Sequence, residues 1–352
     1  MRIGILTFHR AHNYGAVLQC YALQNVLESL GYKSGVIDFR PDYIEENYKV
    51  FSLKRFVKSL QHPRSTVYYL KDIRERKNRK RLFSSFTKQY LNTIPYKNAI
   101  PNNIDCVLIG SDQLWSTNYT GGVIKEYFGE INHTPEQRIV GYAISANEKS
   151  LNGIGAIRLK EYVNNFSRLS FREQNIEDLV HQMTGKISEV CIDPVLLTTS
   201  GTWKNMMDET FKSAKYILVY QVHPSGGDFN NAVRFASHIA EQRGLKVVDM
   251  TDGHCSPSEF VARFKYAQYV VTTSFHGTVF SIIFHKEFVT LKVNETVDAR
   301  AKNLLTQVGL IDRMIDCNEF LPQTSIDYQM VDSRLAVIRE HSLNYLRNIE
   351  NF

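Results

Sequence analysis

Residues 266–293 read YAQYVVTTSFHGTVFSIIFHKEFVTLKV, a strand, a polar turn, a helix and a second strand in succession. Tyr269, Val270, Val271 and Thr272 form the β-branched run of a buried parallel strand, and residues 279–284 are apolar enough for the helix behind it. The turn between them, Ser274-Phe275-His276-Gly277-Thr278, falls at a strand's carboxyl end, where open α/β sheets bind ligands. A helix beginning at His276 or Gly277 would aim backbone N–H groups and the positive end of its dipole at that place, which suits an anion. Gly277 allows close approach to the backbone, and His276 is the side chain of this turn able to exchange a proton near neutral pH. The same residues also read as a helix N-cap beside a structural histidine.

Outward from this stretch the βα alternation continues. In the second half, residues 216–222 read as a strand, 228–243 as a helix stopped by Gly244, and 246–250 as a strand; Ser256-Pro257-Ser258-Glu259 then has the form of a capping box with proline at the first helical position. In the first half, strand 2–8 ends in the turn His9-Arg10-Ala11-His12-Asn13-Tyr14-Gly15, before a helix over 16–30 and a strand over 34–39. Further strands are expected at 106–110, 138–145 and 168–173, with Asp193-Pro194 as a closing turn. This pattern predicts an α/β fold of two doubly wound, Rossmann-like domains facing across a cleft, with the break near 205. Residues 328–352 form a helical tail that would return to the first domain. The sequence shows no internal repeat.

The 352 residues suit two domains, and 43% hydrophobic with 22% charged content is that of a soluble globular protein. No window of about 18 apolar residues exists, and the opening residues turn polar too soon for a secretion signal, so a cytoplasmic location is expected. The five cysteines are odd in number and scattered, which predicts reduced core thiols. The net charge of +6 is uneven. Residues 49–97 hold 14 Lys and Arg against only Asp72 and Glu75, so this basic helical insert is +12 and the remainder −6. With its interleaved aromatics it could lie on an anionic membrane face or be a solvated helical face. No recognition motif accompanies the charge, so nucleic acid is not an expected partner. Arg74, Arg76, Lys77, Arg79, Lys80 and Arg81 are too dense to share one side of a helix.

Three loops at strand ends carry candidate chemistry. His9 and His12 have metal-compatible spacing but lack nearby Cys, Asp or Glu, so no metal is expected and hydrogen bonding to a sugar or an anion suits them better. Asn13 and Gly15 also fit a turn with unusual backbone angles. Asp112 could accept a proton from a sugar hydroxyl while Trp115 packs on the pyranose ring, or it could cap the next turn. Arg172 is either half of a surface ion pair with Glu173 or a fork for a carboxylate or phosphate.

The runs ILTFHRAHNYGAVLQCYALQ, IGSDQLW, YAISAN, SFREQN, CIDPVLL, SPSEF and VVTTSFHGTVFSIIF resemble, in order and over nearly the whole chain, the polysaccharide pyruvyl transferase family. The resemblance implies a fold similar to two-domain GT-B glycosyltransferases and transfer of pyruvate from phosphoenolpyruvate to a sugar as a cyclic ketal. It makes residues 1–205 the acceptor side and 206–327 the donor side. It carries the family's acid onto His276 and a donor-site arginine onto Arg172. Ser274 and Phe275 stand where the family's Arg-Leu-His triplet has Arg and Leu, so one cation is missing; Arg300 or Lys292 could replace it.

The chemistry fits these residues. Phosphoenolpyruvate is an enol ester, so ketal formation needs a proton at its methylene carbon, which His276 can supply, and cationic help for a carboxylate and a phosphate. Ser274, Phe275, Gly277, Thr278, Arg172, Arg300 and Lys292 are the donor-binding candidates. Asp112 is the candidate base, and His9, His12, Asn13, Tyr14 and Trp115 face the acceptor. No cofactor is expected beyond phosphoenolpyruvate as co-substrate. A lipid-linked oligosaccharide acceptor would give the +12 segment a purpose on anionic lipid or a diphosphate linker. Two rival readings share the fold: a nucleotide-sugar glycosyltransferase, for which Glu287 and Glu295 have an E-x7-E spacing, and a non-catalytic glycan-binding protein.

Overall fold

A computed structural model describes residues 1–52, 56–57, 63–207, 209–222, 230–251, 254–319, 322 and 324–351. The chain forms two Rossmann-like α/β units, residues 1–197 with 341–352 and residues 198–340. The predicted helix over 228–243 is described from Asn230 onward, and its first two residues lie outside the described ones.

The first unit is built on seven parallel strands: β1 (Arg2–Leu6), β2 (Lys33–Ile37), β3 (Thr93–Ile94), β4 (Cys106–Asp112), β5 (Arg138–Ile144), β6 (Arg168–Phe171) and β7 (Glu189–Val190). Their order is β3-β2-β1-β4-β5-β6-β7, so the winding direction reverses between β1 and β4. Helices return the chain between strands on both sides of that point, and the strands between them are buried along nearly their whole length, as the β-branched runs require. The core includes Trp115, whose ring stacks on Phe128 at 4.6 Å and meets Phe166 and Phe171 edge-on.

The basic segment forms the long helix Pro63–Tyr90. Phe83 and Phe86 are buried, Phe83 lying 5.2 Å from Tyr14 and Phe86 6.2 Å from Tyr21 of the Tyr14–Ser29 helix. From the other end of the chain, residues 341–347 of the Tyr328–Arg347 helix belong to this unit: Tyr345 donates to the Gly141 carbonyl at 2.7 Å, and Ser342 accepts from the Ile192 N–H.

The second unit has five parallel strands: β8 (Tyr216–Tyr220), β9 (Lys246–Asp249), β10 (Tyr269–Thr272), β11 (Glu287–Leu291) and β12 (Met314–Ile315). The order β12-β11-β10-β8-β9 places its reversal between β8 and β10. The Pro257–Tyr266 helix that leads into β10 starts at Ser256, which accepts from the Glu259 N–H, as its sequence predicts. All five cysteines are free thiols, four of them buried and Cys317 partly exposed.

Candidate functional site

Both reversals of winding direction coincide with turns singled out in the sequence. In an open α/β sheet the crevice at such a point is where the carboxyl ends of two strands diverge and a ligand can enter. In the second unit it is flanked by the SFHG turn after β10. The helix there is Phe275–Ile283, one residue earlier than the sequence suggested, because Ser274 is its N-cap and accepts from the Gly277 N–H at 3.3 Å. Gly277 is forced by space: a Cβ there would sit 2.1 Å from Thr272 Oγ1. That hydroxyl cannot turn away cheaply, since it donates to the Tyr220 carbonyl and accepts from the Ser274 N–H.

His276 is 9% exposed and its ring lies 5.2 Å from that of Phe275. Arg300 also packs on Phe275, its guanidinium carbon 5.5 Å from the ring centroid. Lys292, the other candidate cation, is held by Asp316 at 2.9 Å and Glu319 at 3.6 Å, so two carboxylates already balance its charge. Thr278 was expected at the donor but is fully buried. Its hydroxyl donates to the Ser274 carbonyl and meets Thr290 at 2.7 Å, so it ties the helix to β11. Ser274 uses its own hydroxyl as a helix cap.

In the first unit the reversal lies between the loops after β1 and β4. Asp112 ends β4 with φ 94°, a conformation L side chains seldom take, and one carboxylate oxygen accepts from the Gln113 N–H at 2.8 Å. The bond reaches only the adjacent residue, and the side chain is half-buried. Thr7 donates to the Ser111 carbonyl at 2.7 Å and accepts from Gln19, which locks the two loops together.

Several acceptor candidates turn out to be framework. Trp115 is wholly buried and its N–H donates to the Tyr127 carbonyl, so it offers no face to a sugar; its apolar surface is worth more in the core than at a rim. Tyr14 is 1% exposed and packs under Arg79. His9 is equally buried, with Nε2 2.8 Å from Asp38 Oδ1 and Nδ1 3.2 Å from the Thr7 carbonyl. Asn13 caps the Tyr14–Ser29 helix by accepting from the Ala16 N–H.

His12 differs from these. It is half-buried beside Tyr48 at 4.9 Å, and its carbonyl accepts two hydrogen bonds from Arg79, at 2.9 and 2.7 Å. Burial, then the charges of Arg79, Lys80 and Arg76, lower its imidazole to about 4, so His12 is neutral at pH 7.

Arg172 and Glu173 are not a surface pair. Arg172 is 6% exposed and Glu173 7%; Nη2 of Arg172 lies 2.5 Å from Ser111 Oγ and 3.0 Å from Asp193 Oδ2, while Glu173 accepts from Ser145. Burial works against the guanidinium charge, but the carboxylates of Asp193, Asp112 and Glu173 outweigh it and raise the Arg172 pKa.

Sequence reasoning missed two partners. Asp193, read only as a turn residue, is this arginine's counter-ion as well as a cap for the Val195 N–H. Asp38, at the end of β2, receives Arg10 and Arg40 as well as His9. Burial alone would raise its pKa, but the hydrogen bonds from His9, Arg40 and Arg10 hold the carboxyl far below the usual range. The signal for Asp38 was present in the sequence as Asp38-Phe39-Arg40 at a strand end.

Among the described residues no three His, Cys, Asp or Glu side chains gather as metal ligands, and no helix is long and apolar enough to cross a membrane.

The family model described as polysaccharide pyruvyl transferase matches residues 13–295, and the chain belongs to that family. No curated protein sequence matches it. Among solved structures it is similar to the UDP-GlcNAc 2-epimerase of Methanocaldococcus jannaschii, at 12% identity and a TM-score of 0.49 over 96% of this chain and 93% of that one. It is also similar to the glycosyltransferase SsfS6 of Streptomyces sp. SF2575, at 14% identity and a TM-score of 0.43 over 99% of each chain. At these identities no activity carries across.

Proposed function

We propose, with membership of the polysaccharide pyruvyl transferase family as the premise, that this chain transfers pyruvate from phosphoenolpyruvate to two hydroxyls of a sugar, forming a cyclic ketal and releasing phosphate. The observation that carries the reading is the second unit's reversal point, where His276 opens a helix beside Phe275 and Arg300. A proton donor, a guanidinium and the positive end of a helix together suit an anionic enol ester.

In this reading His276 gives a proton to the methylene carbon, and the adjacent carbon takes on oxocarbenium character. A first sugar hydroxyl adds there and loses its proton, with Asp112 as the base. Phosphate then leaves with its bonding electron pair, and the second hydroxyl closes the ring. Of the two hydroxyl protons, one offsets that spent by His276 and the other leaves on phosphate. Arg300 takes the place of the cation missing at Ser274. Neutral His12 can both donate to and accept from acceptor hydroxyls. Arg172, bound to Asp193, holds positive charge beside Ser111.

The glycosyltransferase reading is less favoured, because Glu287 accepts from the Ile326 N–H and pairs with Arg313. The test is incubation with phosphoenolpyruvate and a panel of oligosaccharides in D2O, with phosphate release measured and the product analysed by mass spectrometry. Phosphate together with a ketal carrying deuterium in its methyl group supports the reading. Transfer of a sugar in a parallel incubation with nucleotide sugars, or glycan binding without turnover across the panel, overturns it.

A further inference from the structure

The Pro63–Tyr90 helix resolves the dense basic run into two sets. Arg79 turns inward onto the His12 carbonyl and the rings of Tyr14 and Phe83, and Arg76 turns onto Asp72 and the Asn47 carbonyl. Lys71, Arg74, Lys77, Lys80, Arg81 and Lys88 are exposed. At 3.6 residues per turn the spacing of Arg74, Lys77, Arg81 and Lys88 puts these four within a sector of about 60° along about 21 Å of helix, with Lys71 and Lys80 to either side. The acids of this helix do not offset them: Asp72 pairs with Arg76, and Glu75 lies 3.9 Å from Lys71.

A second observation adjoins the stripe. Leu70 continues it by one turn and is 55% exposed; Val57 is 56% exposed and Phe51 52%. Phe51 and Phe56, the latter next to Val57 in sequence, both pack against the buried Tyr69, at 6.4 and 5.9 Å, which places these two rings at the Leu70 end of the helix. Bulky apolar side chains held in water beside a row of cations fit a lipid interface, where the former enter the acyl boundary and the latter meet anionic headgroups. Nucleic acid would use the cations but leave Val57 and Leu70 without a role.

We infer that this face of the first unit docks the protein on an anionic membrane surface, through Arg74, Lys77, Arg81 and Lys88 with Phe51, Val57 and Leu70 as shallow anchors. The inference is independent of which donor the enzyme uses.

The test is flotation of the full chain with vesicles of phosphatidylcholine alone or with about one third phosphatidylglycerol, with duplex DNA as a competitor. One variant carries Arg74→Glu, Lys77→Glu, Arg81→Glu and Lys88→Glu; a second carries Val57→Gln and Leu70→Gln. Circular dichroism checks that both fold. Wild type is expected to float only with the anionic vesicles. The charge variant should lose at least about 100-fold in affinity and the apolar variant about 10-fold. Equal flotation with both vesicle types, or a charge variant that binds like wild type, overturns the inference. So does DNA that displaces the vesicles and binds the apolar variant undiminished, which would make the face a nucleic-acid site.

Discussion

Arg172 and Asp193 lie 21 positions apart in sequence and form an ion pair 3.0 Å long, with side chains 4% and 0% exposed. Removing one member of such a pair leaves the other charged, buried and unmatched, which costs far more than the intact pair contributes. Asp193→Ala should therefore lower unfolding free energy by about 3–5 kcal/mol. Urea denaturation measures it, and a loss below about 1 kcal/mol would mean that Arg172 finds another counter-ion.

A second prediction concerns acid. His12 is lowered to about 4 in the folded protein, while an unfolded histidine titrates near 6.5. Its neutral state is fully supported above pH 6.5. As pH falls from there towards 4 the unfolded chain takes up a proton that the folded one refuses, and stability is lost. His12→Gln should flatten the fall of unfolding free energy with pH across that window. The same slope in wild type and variant would contradict the burial of the imidazole.

Gly277→Ala should destabilise the second unit by about 1–3 kcal/mol, because the new methyl meets Thr272 Oγ1, which two hydrogen bonds hold in place. Thermal denaturation followed by near-ultraviolet circular dichroism would show it as a lowered midpoint. An unchanged midpoint would mean that the helix start shifts freely, and would remove the argument that this turn is built to fixed dimensions.

These residues also mark what the sequence could and could not convey. The long βα rhythm was legible because β-branched runs such as 269–272 and capping signals such as Ser256-Pro257-Ser258-Glu259 are local. Thr93–Ile94 and Glu189–Val190, two residues each, are too short to carry a period. The His276 turn was legible for the same local reason, and the topology adds that it flanks a reversal point. Trp115, Tyr14 and His9 misled because exposure is decided by distant packing: Phe128, Arg79 and Asp38 are brought to them by other elements. The partnership of Arg172 with Asp193 was hidden likewise. The dense basic run does spread over more than one side of its helix, as its spacing requires, but nothing local says which members fold back: Arg76 and Arg79 turn onto the Asn47 and His12 carbonyls while Lys80 and Arg81 stay exposed.

The most direct test of the central claim is calorimetric titration of the wild-type protein and its Arg300→Ala variant with phosphoenolpyruvate, UDP and GDP. The account predicts that phosphoenolpyruvate binds, that both nucleotides are silent, and that Arg300→Ala weakens binding by about tenfold or more, the loss expected for one charge-assisted contact. Binding of either nucleotide, or phosphoenolpyruvate binding that Arg300→Ala leaves unchanged, would contradict a donor site beside His276.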